Sequence, residues 1–211
     1  SRLLSKQYQN LGVKVIKVRQ QLQFDECFLV GHFSRFAFWK GQNILIEALS
    51  YCPDNVVAIF VGGAFFGAED YLQQLQEQVI KLKLEKRVHF LGFRSDIPEL
   101  MTACDLIAHT SIAPEPFGRV IVEAMFSGKP VVASDAGGAV ELIEHGKTGW
   151  LTPPGDVLKL AEIINRCRDR SEEATAIAVA AKREASQRFN LSLTNQKIAQ
   201  LLDRVYQLHK N

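Results

Sequence analysis

Two glutamates frame a glycine in the segment from Glu115 to Glu123, which reads Glu-Pro-Phe-Gly-Arg-Val-Ile-Val-Glu. A largely apolar run over 105–109 ends just before this segment, and a helical pattern over 119–126 begins inside it. A loop that leaves a strand and enters a helix presents unpaired backbone N–H groups and the positive end of the helix dipole. The segment therefore predicts an anion site, above all for phosphate.

Cations and glycines follow the other predicted strands, where the ligands of an open α/β sheet bind. A diphosphate requires arginine forks, lysine point charges and helix N-termini, which Arg35, Lys40 and the turns at Gly118 and Gly138 supply. Carboxylates repel a diphosphate, but they accept hydrogen bonds from paired hydroxyls. Glu115 and Glu123 therefore suit the two hydroxyl-rich ends of a sugar–diphosphate–ribose ligand, a pattern that describes a nucleotide sugar.

Short β-branched runs that alternate with helical patterns must position these side chains. The runs are almost continuously apolar, which is typical of parallel strands that are buried on both faces. The alternation predicts a doubly wound, Rossmann-like α/β sandwich with about six strands. The predicted strands are 28–31, 56–61, 88–91, 106–108, 130–134 and 149–151, and the predicted helices lie near 42–50, 69–83, 97–103, 119–126 and 139–144.

The two ends of the chain differ from this pattern. Residues 1–26 hold no complete α/β unit and are predicted to be a lead-in segment from a preceding domain. The predicted sheet domain covers 27–170, and residues 171–211 are predicted to form C-terminal helices of the same domain. An apolar stripe from Ile198 to Leu208 predicts a final helix that docks on another surface.

Composition limits the class of protein. The 211 residues are 47% hydrophobic, which supports one large domain, and the net charge of +2 with interspersed signs gives no case for nucleic-acid binding. No apolar run approaches the roughly 20 residues that cross a bilayer, and the N-terminus lacks the core of a signal peptide. The four cysteines have no metal or redox spacing. We expect a soluble cytoplasmic domain without a bound metal.

Three of these elements together resemble the donor-binding half of glycosyltransferase family 4, whose members are retaining enzymes of the GT-B fold. They are the Arg-x4-Lys-Gly segment over 35–41, the Glu-x7-Glu segment over 115–123, and the glycine pair Gly137–Gly138 followed by Glu141. The similarity runs from about Val30 to Asp156. Many members place an arginine directly after the strand-ending glycine, where this chain has His32, whose role the resemblance leaves unexplained.

The resemblance implies a role for each predicted site residue. Arg35 and Lys40 would hold the donor diphosphate, and Glu115 would hold the transferred sugar. Glu123 would bind the ribose. The remaining contacts would come from the backbone amides of Phe117 and Gly118, from the glycine turns at Gly62, Gly137 and Gly138, and, beside the base, from Phe93 and Arg94.

The resemblance also implies a function. The chain would be half of an enzyme that transfers a sugar from a UDP, GDP or ADP sugar, with retention and without a metal ion or other cofactor. A further N-terminal domain would bind the acceptor, which is a glycan, a lipid or a small molecule, and that half could make peripheral contact with a membrane. The alternatives are a non-catalytic nucleotide-binding module and a nucleotide-sugar epimerase of the same fold.

Several residues also have a purely structural interpretation. Arg94 would form a loop ion pair with Asp96, His109 would be a hydrogen-bonded structural histidine, and Glu141 would orient the glycine loop. The aromatic cluster Phe36, Phe38 and Trp39 would pack against the further domain.

Overall fold

Six parallel strands form one sheet in the computed structural model, which describes residues 18–22, 24–64 and 67–189. Their order across the sheet is β3-β2-β1-β4-β5-β6, and every neighbouring pair is parallel. The strands are β1 (Phe28–Phe33), β2 (Val56–Val61), β3 (Val88–Gly92), β4 (Leu106–His109), β5 (Val131–Ser134) and β6 (Trp150–Thr152). The predicted α/β class and the strand count are confirmed.

Helices connect the strands and flank the sheet. They are α1 (Gln42–Leu49), α2 (Glu69–Lys81), α3 (Ile97–Ala103), α4 (Arg119–Ser127), α5 (Ala139–Leu142), α6 (Val157–Asp169) and α7 (Ser171–Arg188), with a 3-10 turn at Phe38–Lys40 before α1. The predicted helices agree with these bounds to within two residues. The 3-10 turn was not predicted, because three residues carry no measurable helical period.

The sheet separates two apolar layers. All six side chains of β2 are buried. Alternate residues Val56, Ala58 and Phe60 pack on one side with α1, α2 and α6, while the residues between them pack on the other side with α3, α4 and α5. Burial on both faces explains why the strands are continuously apolar.

The strand order reverses at β1. This strand pairs with β2 on one side and with β4 on the other, in a register that places Val30 beside Leu106. The connections from β1 and β4 therefore diverge to opposite faces and leave a crevice at the carboxyl ends of the two strands. Open α/β sheets bind ligands at this switch point.

Part of the predicted lead-in segment is attached to the sheet domain. Arg19 donates from Nη1 to Asp105 Oδ2 at 3.0 Å and from Nη2 to the carbonyl of Phe24 at 2.9 Å. Val18 and Phe24 are buried in the core layer that contains α3, α4 and α5. The predicted final helix lies outside the described residues. Within them, no helix is long and apolar enough to cross a bilayer.

Candidate functional site

A cation and a carboxylate meet at the switch point. Lys40 ends the 3-10 turn that follows β1, and Glu115 lies in the loop between β4 and α4. Lys40 Nζ donates to Glu115 Oε1 at 2.6 Å, and the two side chains are only 13% and 15% exposed. The pair was not predicted, although both residues were. The structure brings together two residues that are 75 positions apart in the sequence.

The loops that follow β1 and β4 are tied together through their backbones. The amide of Ile112 donates to the carbonyl of Trp39 at 2.9 Å, and the hydroxyl of Thr110 donates to the carbonyl of Gly41 at 2.7 Å. Gly41 has φ +67°, and a Cβ atom there would stand 2.0 Å from the carbonyl oxygen of Thr110. Glycine is therefore required for the close approach that places Lys40 beside Glu115.

Three side chains crowd one oxygen of Glu115. Ser111 Oγ donates to Oε1, as Lys40 does, and His109 Nε2 lies 3.0 Å from the same atom, although its N–H direction does not point along the contact. Burial by itself raises the pKa of Glu115, but the contacts with His109, Lys40 and Ser111 outweigh it and hold the pKa well below its usual range. The carboxylate is charged, and no donor among the described side chains reaches its Oε2.

A second histidine supports the loops from below. His32, in β1, is buried and donates from Nε2 to Thr110 Oγ1 at 3.0 Å, in the tautomer that leaves Nδ1 to accept from Ser34 at 3.4 Å. Burial, together with the nearby His109, lowers the pKa of His32 to about 3. The ring is neutral, and its contacts with Thr110 Oγ1 and, at 3.3 Å, with the carbonyl oxygen of Lys40 support the turn that carries Lys40.

The glycine pair after β5 packs directly on the Glu115 loop. The amide of Gly138 donates to the carbonyl of Glu115 at 2.7 Å. A Cβ atom on Gly137 would stand 2.4 Å from that carbonyl oxygen, and one on Gly138 would stand 2.6 Å from the carbonyl oxygen of Phe117. These glycines let two loops touch through their backbones. Because the Gly138 amide already has an acceptor, a phosphate contact by this pair remains a prediction.

Helix α4 begins at the site. Gly118 caps it in the left-handed conformation at φ +75°, and no side chain caps the first turn. Glu123 lies in the second turn and is 19% exposed, with Arg119 Nε 3.2 Å from its Oε1. Burial raises the pKa of Glu123, and Arg119 opposes that shift. The ribose role of Glu123 and the phosphate role of the Phe117 and Gly118 amides remain predictions.

Arg35 is exposed above Trp39. Two cations lie over the indole ring of Trp39. Lys40 Nζ is 4.2 Å from the ring centroid, and the guanidinium carbon of Arg35 is 5.5 Å from it. No acidic partner of Arg35 occurs among the described residues, so its guanidinium is available to a ligand. Of the predicted aromatic cluster, Phe36 is a core residue, Trp39 holds the two cations, and Phe38 is 63% exposed.

The remaining predicted residues follow β2 and β3 at the carboxyl ends of these strands. Gly62 has φ +156°, and a Cβ atom there would stand 1.9 Å from the carbonyl oxygen of Ser34. Phe93 is 75% exposed. Arg94 forms a bidentate ion pair with Asp96, with hydrogen bonds of 2.8 and 2.7 Å, as its structural interpretation predicted. Contact of these residues with a base remains a prediction.

Sequence reasoning missed Ser111 and the contact that His109 makes with Glu115. One signal was available, because 109–111 is a polar run at the carboxyl end of a buried strand, and all three of its residues are buried. Polar side chains at that place in a parallel sheet point to a site. In the described part of the chain, no cluster of three His, Cys, Asp or Glu side chains is arranged to hold a metal ion.

Known proteins resemble the chain in sequence and fold. A family model described as "Glycosyl transferases group 1" matches residues 15–184. The chain is 31% identical over 206 residues to Spore coat protein SA of Bacillus subtilis. The alignment covers 92% of this chain and 52% of that protein. The chain spans about a third to a half of the length of the first curated relatives it matches.

Solved structures extend the likeness. Alr3699/HepE of Anabaena, in complex with UDP, is 56% identical and superposes with a TM-score of 0.92, over 95% of this chain and 55% of that one. The same protein has been solved with UDP-glucose. The C-terminal domain of the group 1 protein LpcC from Francisella tularensis shares the fold at 23% identity, with a TM-score of 0.78, over 89% of this chain and 98% of that domain.

Proposed function

The chain belongs to the group 1 glycosyl transferases, and from this premise we propose that it is the donor-binding half of an enzyme that transfers a sugar from a nucleoside diphosphate sugar. The observation that carries the proposal is the half-buried pair of Lys40 and Glu115 at the switch point, 2.6 Å apart. A cation for phosphate and an ionised carboxylate for sugar hydroxyls stand side by side, beside the start of α4.

UDP is the nucleotide we propose, and UDP-glucose is the first sugar donor to test. The Anabaena relative, at 56% identity, was solved with UDP and with UDP-glucose, which supports uridine over guanosine or adenosine. The diphosphate would lie against Lys40, Arg35 and the amides at Phe117 and Gly118. The sugar would hydrogen-bond to Glu115, and the ribose to Glu123.

We propose transfer with retention. The bond from the anomeric carbon to the diphosphate oxygen breaks, and the acceptor oxygen bonds to that carbon on the same face. The acceptor's proton passes to a phosphate oxygen of the leaving UDP, so atoms and charge balance without a covalent enzyme intermediate. Fixed positive groups, Lys40 and Arg35 above all, stabilise the leaving diphosphate in place of a metal ion. The acceptor is bound by a further domain.

Calorimetry on this chain tests donor binding. The expected result is that UDP binds, that GDP and ADP bind more weakly, and that EDTA leaves UDP affinity unchanged. Fixed cations rather than a metal ion then hold the diphosphate. If none of the three nucleotides binds, the site is wrong; if EDTA abolishes binding, the metal-independent part of the proposal is wrong.

The full-length protein separates the alternatives. A transferase consumes UDP-glucose only with an acceptor present, and NMR of the product reads the anomeric configuration directly. An epimerase converts the donor when incubated alone. A binding module converts nothing, even when a mixture of glycan, lipid and small-molecule acceptors is supplied.

A further inference from the structure

The contact between Lys40 and Glu115 raises a conflict of roles. In the donor-free structure, Lys40 Nζ donates to Glu115 Oε1 at 2.6 Å. A lysine that turns its ammonium group toward a diphosphate gives up at least part of that hydrogen bond. Glu115 is only 15% exposed, so water replaces the lost donor poorly. Losing a charged donor is costly for a half-buried carboxylate, and binding of the diphosphate would bear that cost.

His109 is close enough to Glu115 to replace the lost donor. Its side chain is 8% exposed, and its Nε2 lies 3.0 Å from the same Oε1 that Lys40 contacts. Neither ring nitrogen of His109 has a hydrogen-bond partner among the described residues. Buried polar atoms are nearly always paired, so an unpaired donor in contact with an acceptor indicates a partner that is taken up in another state.

The other contacts of Glu115 fit this exchange. Ser111 also donates to Oε1 and lies two residues beyond His109, so both donors are carried by the end of β4 rather than by the Lys40 loop. Because they lie on a different element from Lys40, a rotation of the Lys40 side chain alone does not require them to move. Every contact falls on Oε1, and Oε2 stays open toward a ligand hydroxyl.

We propose that His109 is a positioning residue that takes over Glu115 Oε1 from Lys40 when Lys40 turns to the donor diphosphate. The inference rests on the proposed function. A small rotation brings the Nε2–H of His109 into line with Oε1, and the carboxylate keeps two donors throughout. Lys40 is thereby free to bind phosphate while Glu115 remains charged and fixed for the sugar.

A double-mutant cycle on UDP affinity tests the exchange. His109→Asn places an amide near the Nδ1 position and leaves Oε1 without the replacement donor, whereas His109→Gln keeps an N–H near the Nε2 position. We expect UDP to bind about 10-fold more weakly to His109→Asn, and with nearly wild-type affinity to His109→Gln. In the Glu115→Gln background, where Lys40 has no carboxylate to leave, His109→Asn should have no further effect on UDP affinity.

The cycle distinguishes positioning from folding. A purely structural role of His109 predicts the same loss in both backgrounds, and that result would overturn the inference, as would an unweakened His109→Asn. His109→Leu replaces Asn in the cycle if Asn does not fold, and it predicts the same pattern. His89→Asn is the control and should leave UDP affinity unchanged. The Nε2 atom of His89 is also buried without a partner among the described residues, but His89 lies near the amino end of β3, away from the carboxyl ends of the strands. Absence of UDP binding by the wild-type chain overturns the proposed function itself.

Discussion

Acidification from pH 7 to pH 5 is expected to destabilise the fold through His32. This residue is buried in β1, and burial lowers its pKa to about 3. In the unfolded chain the same imidazole has a pKa of about 6.5. Between these values only the unfolded chain binds the proton. The stability contributed by neutral His32 is therefore complete above pH 6.5 and is lost as the pH falls toward the folded pKa.

The magnitude follows from the two pKa values. Between pH 7 and pH 5 the unfolded chain takes up most of one proton at this site and the folded chain takes up almost none. Integrating the difference gives a loss of about 2 kcal/mol in the free energy of unfolding. His89, whose pKa burial also lowers, steepens the slope of every variant alike and cancels in a comparison.

Urea unfolding at half-unit steps from pH 7 to pH 5 measures this slope. His32→Gln removes the titrating group and should lose about 2 kcal/mol less than wild type over the range. Phe60→Leu is the matched control, because the Phe60 ring lies 5.5 Å from the His32 ring but does not titrate. It should lower stability equally at every pH. Parallel curves for wild type and His32→Gln would refute the assignment of a neutral, buried His32.

The remaining predictions concern ligand affinity and backbone packing. Glu123→Ala should weaken UDP binding by about 1.5–3 kcal/mol. Glu115→Ala should leave UDP affinity undiminished and abolish the preference for UDP-glucose over UDP. Calorimetry with both ligands checks this, and an equal loss of affinity for bare UDP in the two variants would contradict it. Gly41→Ala should destabilise the fold by at least twice the roughly 1–2 kcal/mol expected for Gly146→Ala. Both backbones are left-handed, but only at Gly41 would the new Cβ meet a backbone atom, the carbonyl oxygen of Thr110, at 2.0 Å. Denaturant unfolding measures both, and similar losses would show that the loop yields.

Most of the fold followed from hydrophobic periodicity. The β2 strand was predicted with its observed bounds because an unbroken β-branched run has a clear beginning and end. Strands β1, β3, β4 and β6 were predicted one or two residues short at their carboxyl ends, whereas the carboxyl end of β5 was predicted correctly. In β1 this removed His32 and Phe33 from the strand, since a histidine interrupts an apolar pattern even when it is buried.

The site was predicted only as a set of separate residues. Residue types pointed to Lys40 and Glu115 individually, because each suits a different part of a nucleotide sugar. Their ion pair depends on the pairing of β1 with β4 and on the left-handed turn at Gly41, and local sequence predicts neither of these features. His109 was given a structural interpretation for the same reason: its contact with Glu115 forms only when the β4 loop folds back over the strand end.

The strand order also governs when the site forms during folding. Val30 pairs with Leu106 across 76 positions, whereas β1 and β2 pair across 28. Pairings between distant segments close large loops and form slowly. The β1-β2-β3 half can assemble first, but it contains Lys40 without Glu115. We therefore expect the proposed nucleotide site to form only when β4 docks, and a chain that stalls before that step would have half a sheet and no site.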